Sequence, residues 1–197
     1  MKFFVPIIAI TAGLAASLST AAANDGYRID PERSLIEFRL SHMMGKVNGK
    51  FKKFEGKIDI DRAHPQQSSV TVKIQVNSID TGIAKRDAHL RSEEFFNAAK
   101  YPEITFKSRS VKQTGPQSGD ILGDLTMHGV TKPITLHVKL VTPLKDEAAM
   151  QRSHWEVTSE PIKRREFGLM FSSGLEAVSM IGQQVTAKID IEAVRSE

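Results

Sequence analysis

Six histidines are the side chains of this 197-residue chain best suited to bind a metal ion, but their spacing argues against such a site. They are His42, His64, His89, His128, His137 and His154. None stands at ligand spacing from another His, the HxH and HExxH patterns are absent, and the sequence contains no Cys. A zinc site would have to be assembled from distant strands, for which the sequence gives no sign. We therefore expect no metal and no cofactor.

Nucleophilic catalysis is not indicated either. The stretch Phe171-Ser172-Ser173-Gly174 does not match the G-x-S-x-G nucleophile elbow. Asp87 could pair with His89, but helical side chains two residues apart point about 200° away from each other and form no dyad by themselves. Capping and packing of the barrel end is as good an interpretation of these two residues as ligand contact. We expect a protein that is not an enzyme, with a lipid-modifying enzyme using His89 and a distant acid as an alternative.

Arg86 and His89 carry the more informative spacing. Side chains three residues apart on a helix point the same way. If that face turns inward, a guanidinium and an imidazole are available for a quinone carbonyl, an amide or a phosphate headgroup. The alternative is that Arg86 pairs with Glu93 or another acid at the surface, and the sequence leaves both open.

Residues 81–92, which position this pair, are predicted to form a short helix. Ile83, Asp87 and Leu90 would share one of its faces. A loop through Phe95 and Phe96 is expected to follow. Because the segment lies between predicted strands, we expect it to plug one end of a barrel.

Alternation of apolar and polar residues predicts strands on both sides of this helix. The pattern is clearest at 34–41, where Ile36, Phe38 and Leu40 alternate with polar residues, and it recurs at 70–76, 134–140 and 185–191. Shorter candidates are 57–60, 104–111, 121–127 and 154–159. Turn signals separate these segments, and Pro133 is expected at a strand start. The predicted turns are Asn48-Gly49, Ala63-His64-Pro65, Gly115-Pro116, His128-Gly129 and Ser173-Gly174. Eight or so strands with one apolar face predict an all-β fold, a closed antiparallel barrel.

The first 23 residues have the composition of a cleaved secretory signal peptide. Lys2 precedes an apolar stretch that ends in Ala21-Ala22-Ala23. We therefore predict a signal peptide at 1–23, one domain at 24–197 and a periplasmic location. Without Lys2 the formal charge of +4 falls to +3, because residues 1–23 contain no Asp or Glu. This mild excess does not indicate a nucleic-acid binder, and the oligomeric state, monomer or homodimer, is left open.

Four segments, in this order, resemble the YceI family of periplasmic lipid-binding proteins. They are IDTGIAKRDAHLRSEEFFNAAKYPEITF, GDLTMHGVTKPITLHVKL, RREFGL and VTAKIDIEAV. The resemblance runs from Tyr27 to about Val194. It implies an extended eight-stranded antiparallel lipocalin-like barrel without catalytic activity, whose interior accepts a polyisoprenoid, an isoprenoid quinone or a fatty amide. Glu94 and Glu166 stand where the family commonly has Asp, and Gln183-Gln184 replaces a common acidic pair.

The resemblance, together with alternation, predicts an interior that holds a ligand. Inward positions are expected at Ile36, Phe38, Leu40, Phe54, Val72, Ile74, Phe106, Leu125, Met127, Leu136, Val138 and Ile189. The predicted ligand-binding residues are Phe38, Leu40, Phe51, Phe54, Val72, Ile74, Arg86, His89, Phe95, Phe106, Leu125, Met127, Leu136, Trp155 and Phe171. An eight-stranded barrel either fills with side chains or holds one small ligand, so periodicity leaves a filled core, as in a structural or stress-response protein, as an alternative. A carrier or store of lipid would make transient membrane contact.

Overall fold

The fold is built almost entirely from strands. The computed structural model describes residues 25–42, 45–142, 151–171 and 181–196. The described strands are β1 (Asp25–Ile29), β2 (Leu35–His42), β3 (Gly45–Phe51), β4 (Phe54–Ile60), β5 (Ser69–Gln75), β6 (Ile79–Asp80), β7 (Glu103–Gly115), β8 (Ser118–Met127), β9 (Val130–Leu140), β10 (Arg152–Ser159), β11 (Ile162–Lys163) and β12 (Ile181–Arg195). One α-helix, α1 (Ala84–Arg91), separates β6 from β7, and short 3₁₀ helices occupy Pro65–Gln67, Val76–Ser78 and Arg164–Phe167. The predicted signal peptide and the predicted turn at Ser173-Gly174 lie outside the described residues.

The sheet closes on itself into an eight-stranded antiparallel barrel. Two of the eight walls each consist of two successive strands separated by a break, β1 with β2 and β3 with β4. The other six walls are single strands: β5, β7, β8, β9, β10 and β12. Closure is made by β12, which pairs with β10 on one side and with both β2 and β1 on the other. The predicted all-β barrel with one short helix is therefore confirmed.

Alternation along the strands sorts the side chains between the two faces as predicted. In β7, Ile104 and Phe106 are buried whereas Lys107 is exposed, and in β8 Leu125 and Met127 are buried. Antiparallel pairing aligns Phe106 with Leu125 across the two strands. Since side chains on a strand alternate between its faces, this register places the apolar set inside the barrel.

Two local predictions were wrong. Asn48-Gly49, predicted as a turn, lies within β3, where Asn48 accepts a hydrogen bond from Arg39 Nε and Gly49 pairs with Phe38. Pro133, predicted at a strand start, is the fourth residue of β9. It is tolerated there because this part of β9 pairs with β8, while the pairing with β10 begins only at Leu136.

The β8–β9 hairpin has the turn that its sequence predicts. His128 and Gly129 connect the two strands, and both have a positive φ, 52° and 76°. Two consecutive positive φ values are typical of a tight type I′ hairpin turn, which matches the twist of the flanking strands. The turn brings His128 beside Tyr101, with 4.7 Å between ring centroids.

The two ends of the barrel differ. We call the end with α1 and the 3₁₀ helix Arg164–Phe167 the helix end, and the opposite end, with the segments 61–68 and 115–118, the turn end. At the helix end Asp87 and Leu90 are buried as expected, but Ile83 is not on their face. Ile83 is the N-cap of α1 with an extended backbone, so its side chain is 52% exposed.

No helix within the described residues is long and apolar enough to cross a membrane.

Candidate ligand-binding cavity

A cavity of about 790 Å³ occupies the barrel interior. Its wall extends from Thr81 and Arg86 at the helix end to Gln113 and Gln117 at the turn end. Between them the lining is mostly apolar and comes from all eight walls of the barrel. It includes Ile29, Ile36, Ile58, Val70, Val72, Ile104, Phe106, Ile121, Leu136, Val138, Val157 and Ile189. This volume lies within the range of roughly 300–1,000 Å³ that is usual for small-molecule sites.

The inner face is only partly packed. Val72, Ile74, Val138 and Ile189 face inward, yet each is only half-buried and borders the cavity. Well-packed protein interiors contain few voids larger than a water molecule. An interior of this kind is therefore a hollow barrel and not the filled core that periodicity left open.

Two aromatic rings of the wall lie over glycines of the neighbouring strand. The ring of Phe38 in β2 covers Gly49 in β3, and the ring of Phe106 in β7 covers Gly123 in β8, so that a Cβ at either glycine would overlap the ring. Phe38 and Phe106 both border the cavity. Because the glycines have no side chain, the rings can lie against the wall and leave the centre of the barrel open.

A chain of hydrogen bonds holds Arg86 at the helix end of the cavity. Arg86 Nε donates to Thr81 Oγ1 at 2.7 Å, and Arg86 Nη2 donates to the Thr81 carbonyl at 2.8 Å. The Thr81 hydroxyl donates in turn to Asp87 Oδ1 at 2.5 Å. The alternative pairing of Arg86 with Glu93 is not observed among the described residues. Since Arg86 and Thr81 border the cavity, the remaining guanidinium donors are available to a polar headgroup.

A second group of side chains completes the helix end. His89 stacks on Phe171, whose ring also contacts Phe95 at a centroid distance of 4.6 Å and the Arg164 guanidinium at 5.4 Å. Arg164 is only 2% exposed and donates to the carbonyls of Leu169 and Gly182. His89 Nδ1 also lies 3.3 Å from Glu94 Oε2. Cationic donors thus occur together with aromatic rings, an arrangement suited to a carbonyl, a phenol or a phosphate next to an apolar chain.

The structure brings together nearly all of the predicted ligand-binding residues. All of them except Phe54 border the cavity, Arg86 and His89 included. Phe54 is buried in the core at 7% exposure but does not border the cavity. Alternation correctly places Phe54 on the inner face, but it does not distinguish residues that border a cavity from those packed behind them. Whether these residues contact a ligand stays a prediction.

Sequence reasoning missed Thr81 and Arg164. Arg164 stands in the middle of Lys163-Arg164-Arg165, and three consecutive charges usually face water. The 3₁₀ helix Arg164–Phe167 turns Arg164 inward while Lys163 and Arg165 stay exposed. No periodicity marked this residue, and only its place in RREFGL could have singled it out.

Within the described ranges, no three His, Asp or Glu side chains are grouped so as to hold a metal ion.

Comparison with known proteins agrees with this geometry. Residues 27–193 match the YceI-like domain. Protein YceI of Escherichia coli O157:H7 is 39% identical over 189 residues, which cover 94% of this chain and 95% of that protein. Among solved structures, Burkholderia cenocepacia BcnA shares 24% identity and a TM-score of 0.75, with 84% of this chain and 99% of that chain covered.

A second solved structure has a related fold. It is a polyisoprenoid binding domain from Saccharophagus degradans, implicated in plant cell wall breakdown, with 22% identity and a TM-score of 0.63 over 86% of this chain and 98% of that one. At these identities the two solved structures establish the fold alone. The family match and the E. coli relative go further, since both span nearly the whole described barrel. This chain is a member of the YceI family.

Proposed function

We propose that this protein binds one long apolar lipid, a polyisoprenoid, an isoprenoid quinone or a fatty amide, inside the barrel, and carries or stores it in the periplasm. The observation that carries the proposal is the hollow interior of about 790 Å³, apolar along its length and cationic at the helix end. The polyisoprenoid binding domain of S. degradans, which has the same fold, supports this choice of ligand class.

Hydrophobic transfer explains why an exchangeable lipid suits such a cavity. Each methylene moved from water into an apolar site gains about 0.8 kcal/mol, so a free lipid would bind tightly. A lipid that comes from a bilayer is already out of water, and its net gain on entering the barrel is small. Selectivity then depends on the shape of the tail and on the polar groups of Thr81, Arg86 and His89. A small net gain favours reversible loading and unloading.

Mass spectrometry of lipid extracted from the purified protein tests the ligand class. We expect about one long-chain lipid per barrel, and none after delipidation. Delipidated protein should then take up a prenyl alcohol, a prenylated quinone or a fatty amide in competition with a fluorescent lipid. Uptake of none of these, together with no co-purified lipid, contradicts the proposed function.

The periplasmic location has its own test. The full chain, expressed in a Gram-negative host, should be found in the periplasmic fraction with residue 24 as its first residue. Retention of the protein in the cytoplasm with an intact Lys2 contradicts this part of the proposal.

A further inference from the structure

Two exposed apolar side chains, Ile83 and Met170, flank the cavity at the helix end. They are 52% and 53% exposed, and no other large apolar side chain in the described ranges is more than half exposed. Ile83 directly precedes α1, and Met170 lies between Leu169 and Phe171, which both border the cavity. Isolated apolar side chains are common on surfaces. Here, however, the two most exposed ones in the described ranges lie at the same end of the barrel, joined through the contact between α1 and Phe171.

Basic side chains predominate around this rim. Among the described residues, the exposed cations of the helix end are Lys46, Lys85, Lys100, Lys163 and Arg165, and the exposed acids are Glu93, Glu94, Glu160 and Glu166. One of these pairs is internal, since Lys163 Nζ lies 3.2 Å from Glu166 Oε1. Arg86 and Arg164 add positive charge further inside, which Asp87 partly offsets. The described residues of this end therefore carry a small positive excess.

Among the described residues, the turn end has both features to a lesser degree. Its exposed cations are Arg62, Lys112, Lys139 and Arg152, of which Arg62 and Arg152 are paired with Asp25 and Asp30, and Leu35 at this end is only 38% exposed. The loop residues that border the cavity there are neutral and small or polar: Pro65, Ser68, Gly115, Pro116 and Gln117. Val141, which follows β9 at this end, is 39% exposed. The stronger attraction to a negatively charged apolar layer is thus expected at the helix end.

We propose that the helix end docks on an anionic phospholipid bilayer, with Ile83 and Met170 entering the interfacial region and the basic side chains contacting headgroups. This inference rests on the proposed function, because a cavity that exchanges a bilayer lipid must open toward the bilayer. Neither the two exposed apolar side chains nor the positive charge is sufficient by itself for membrane binding. Peripheral membrane binding depends on buried apolar area together with electrostatic attraction, and each Lys or Arg near an anionic surface contributes about 1 kcal/mol.

Site-specific fluorescence tests the orientation directly. The chain contains no Cys, so Ile83→Cys, Met170→Cys and Val141→Cys each provide one labelling site for an environment-sensitive dye. With vesicles of phosphatidylcholine and phosphatidylglycerol, we expect a blue shift at positions 83 and 170 and no shift at 141. Vesicles of phosphatidylcholine alone should give little response. Equal responses at all three positions, or no response at 83 and 170, overturn the proposal.

Vesicle co-sedimentation of unlabelled protein tests the energetics. The double variant Ile83→Ser with Met170→Ser should partition onto anionic vesicles at least about tenfold less than the parent, because two apolar contacts are lost. Val141→Ser is the matched control and should partition like the parent. Parent-like binding of the double variant, or an equal loss in the control, overturns the inference.

Lipid content, measured by mass spectrometry on the same samples, separates this inference from the proposed function. Parent protein that contains lipid but binds no vesicles overturns docking and leaves ligand binding intact. Parent protein that binds vesicles through positions 83 and 170 but never contains or takes up lipid overturns the proposed function. All variants are exposed-site changes, and circular dichroism should show an unchanged barrel.

Discussion

His89 stacks on Phe171 with 5.8 Å between ring centroids and 7° between ring planes. The contact joins α1 to the segment that follows the 3₁₀ helix Arg164–Phe167, two parts of the chain some eighty residues apart in sequence. Both residues border the cavity. The stack therefore forms part of the closure of the helix end.

Removing this stack should speed ligand release. Phe171→Ala deletes an aromatic contact worth about 0.5–1.5 kcal/mol, which corresponds to roughly two- to tenfold in the release rate. The measurement is stopped-flow transfer of a fluorescent lipid from the barrel to acceptor vesicles. Phe171→Tyr keeps the ring and should release lipid at the parent's rate. A parent-like rate for Phe171→Ala would show that the stack is not part of the closure.

Gly49→Ala should reduce lipid uptake by pushing the Phe38 ring into the cavity. The added methyl group would overlap that ring, and overpacking of this kind typically costs about 1–3 kcal/mol in the free energy of unfolding. Phe38→Leu in the same chain should restore uptake, because the smaller side chain leaves room for the methyl group. Gly26→Ala, where a Cβ meets only ordinary contacts, is the control. Bound lipid per barrel and urea unfolding are measured, and full uptake by Gly49→Ala would contradict the prediction.

Phe106→Arg should abolish lipid retention and leave a folded barrel. Phe106 borders the cavity, so the new side chain would occupy ligand space and could extend its charged head toward an opening. Thr105→Arg, one residue along β7 on the other face, is the control and should keep its lipid. Lipid is quantified by mass spectrometry and folding by circular dichroism. A folded variant with the full lipid content removes Phe106 from the pocket, and an unfolded one argues against space for the side chain.

Asp25→Asn should destabilise the turn end. The Asp25 carboxylate is 9% exposed and contacts Arg62 Nε at 2.5 Å and Arg195 Nη2 at 2.7 Å, next to the pairing of β1 with β12 that closes the barrel. Loss of charge-assisted hydrogen bonds of this kind should lower the free energy of unfolding by about 1–3 kcal/mol. Lys73→Gln, which removes the exposed contact with Glu55, should change stability by less than about 1 kcal/mol. Equal losses in the free energy of unfolding for Asp25→Asn and Lys73→Gln, measured with urea, would contradict this prediction.

Asp80 should titrate below its ordinary range. The Lys52 side chain, which lies 2.6 Å from Asp80 Oδ2, is the main cause of its lowered pKa, and the Gly82 N–H hydrogen bond adds to it. A lowered native pKa means that the stabilising contribution is present above the unfolded pKa of about 3.9 and is lost as pH falls through the native pKa. NMR titration of the Asp80 carboxyl should show this, and Lys52→Gln should raise the pKa. Lys53→Gln is the control. An equal rise of the Asp80 pKa in this variant would contradict the assignment of Lys52 as the main cause.

The barrel strands were predictable because their signal is local. Ile36, Phe38 and Leu40 alternate with polar neighbours, and this period of two is a property of each strand by itself. β3 was missed because Asn48-Gly49 has the sequence of a tight turn. What makes Gly49 part of a strand is its backbone pairing with Phe38, and Phe38 belongs to the neighbouring strand.

The helix end was predictable only in part, for the same reason. Helical spacing correctly put Arg86 and His89 on one face, whereas their partners Thr81 and Phe171 depend on where other segments lie. Arg164 shows the limit most clearly. It has the same sequence surroundings as the exposed Arg165, but the 3₁₀ turn and the carbonyls of Leu169 and Gly182 draw it inward.

The sequence by itself determined a closed antiparallel barrel, its apolar inner face and the helix that carries Arg86 and His89. It did not determine whether the interior is hollow, because the same alternation describes a filled barrel and an empty one. Phe54 and Phe106 satisfy one pattern, yet only Phe106 borders the cavity. The tertiary structure decided this point, since the free volume depends on how the side chains of all eight walls meet across the barrel, and each strand's own sequence describes only one of those walls.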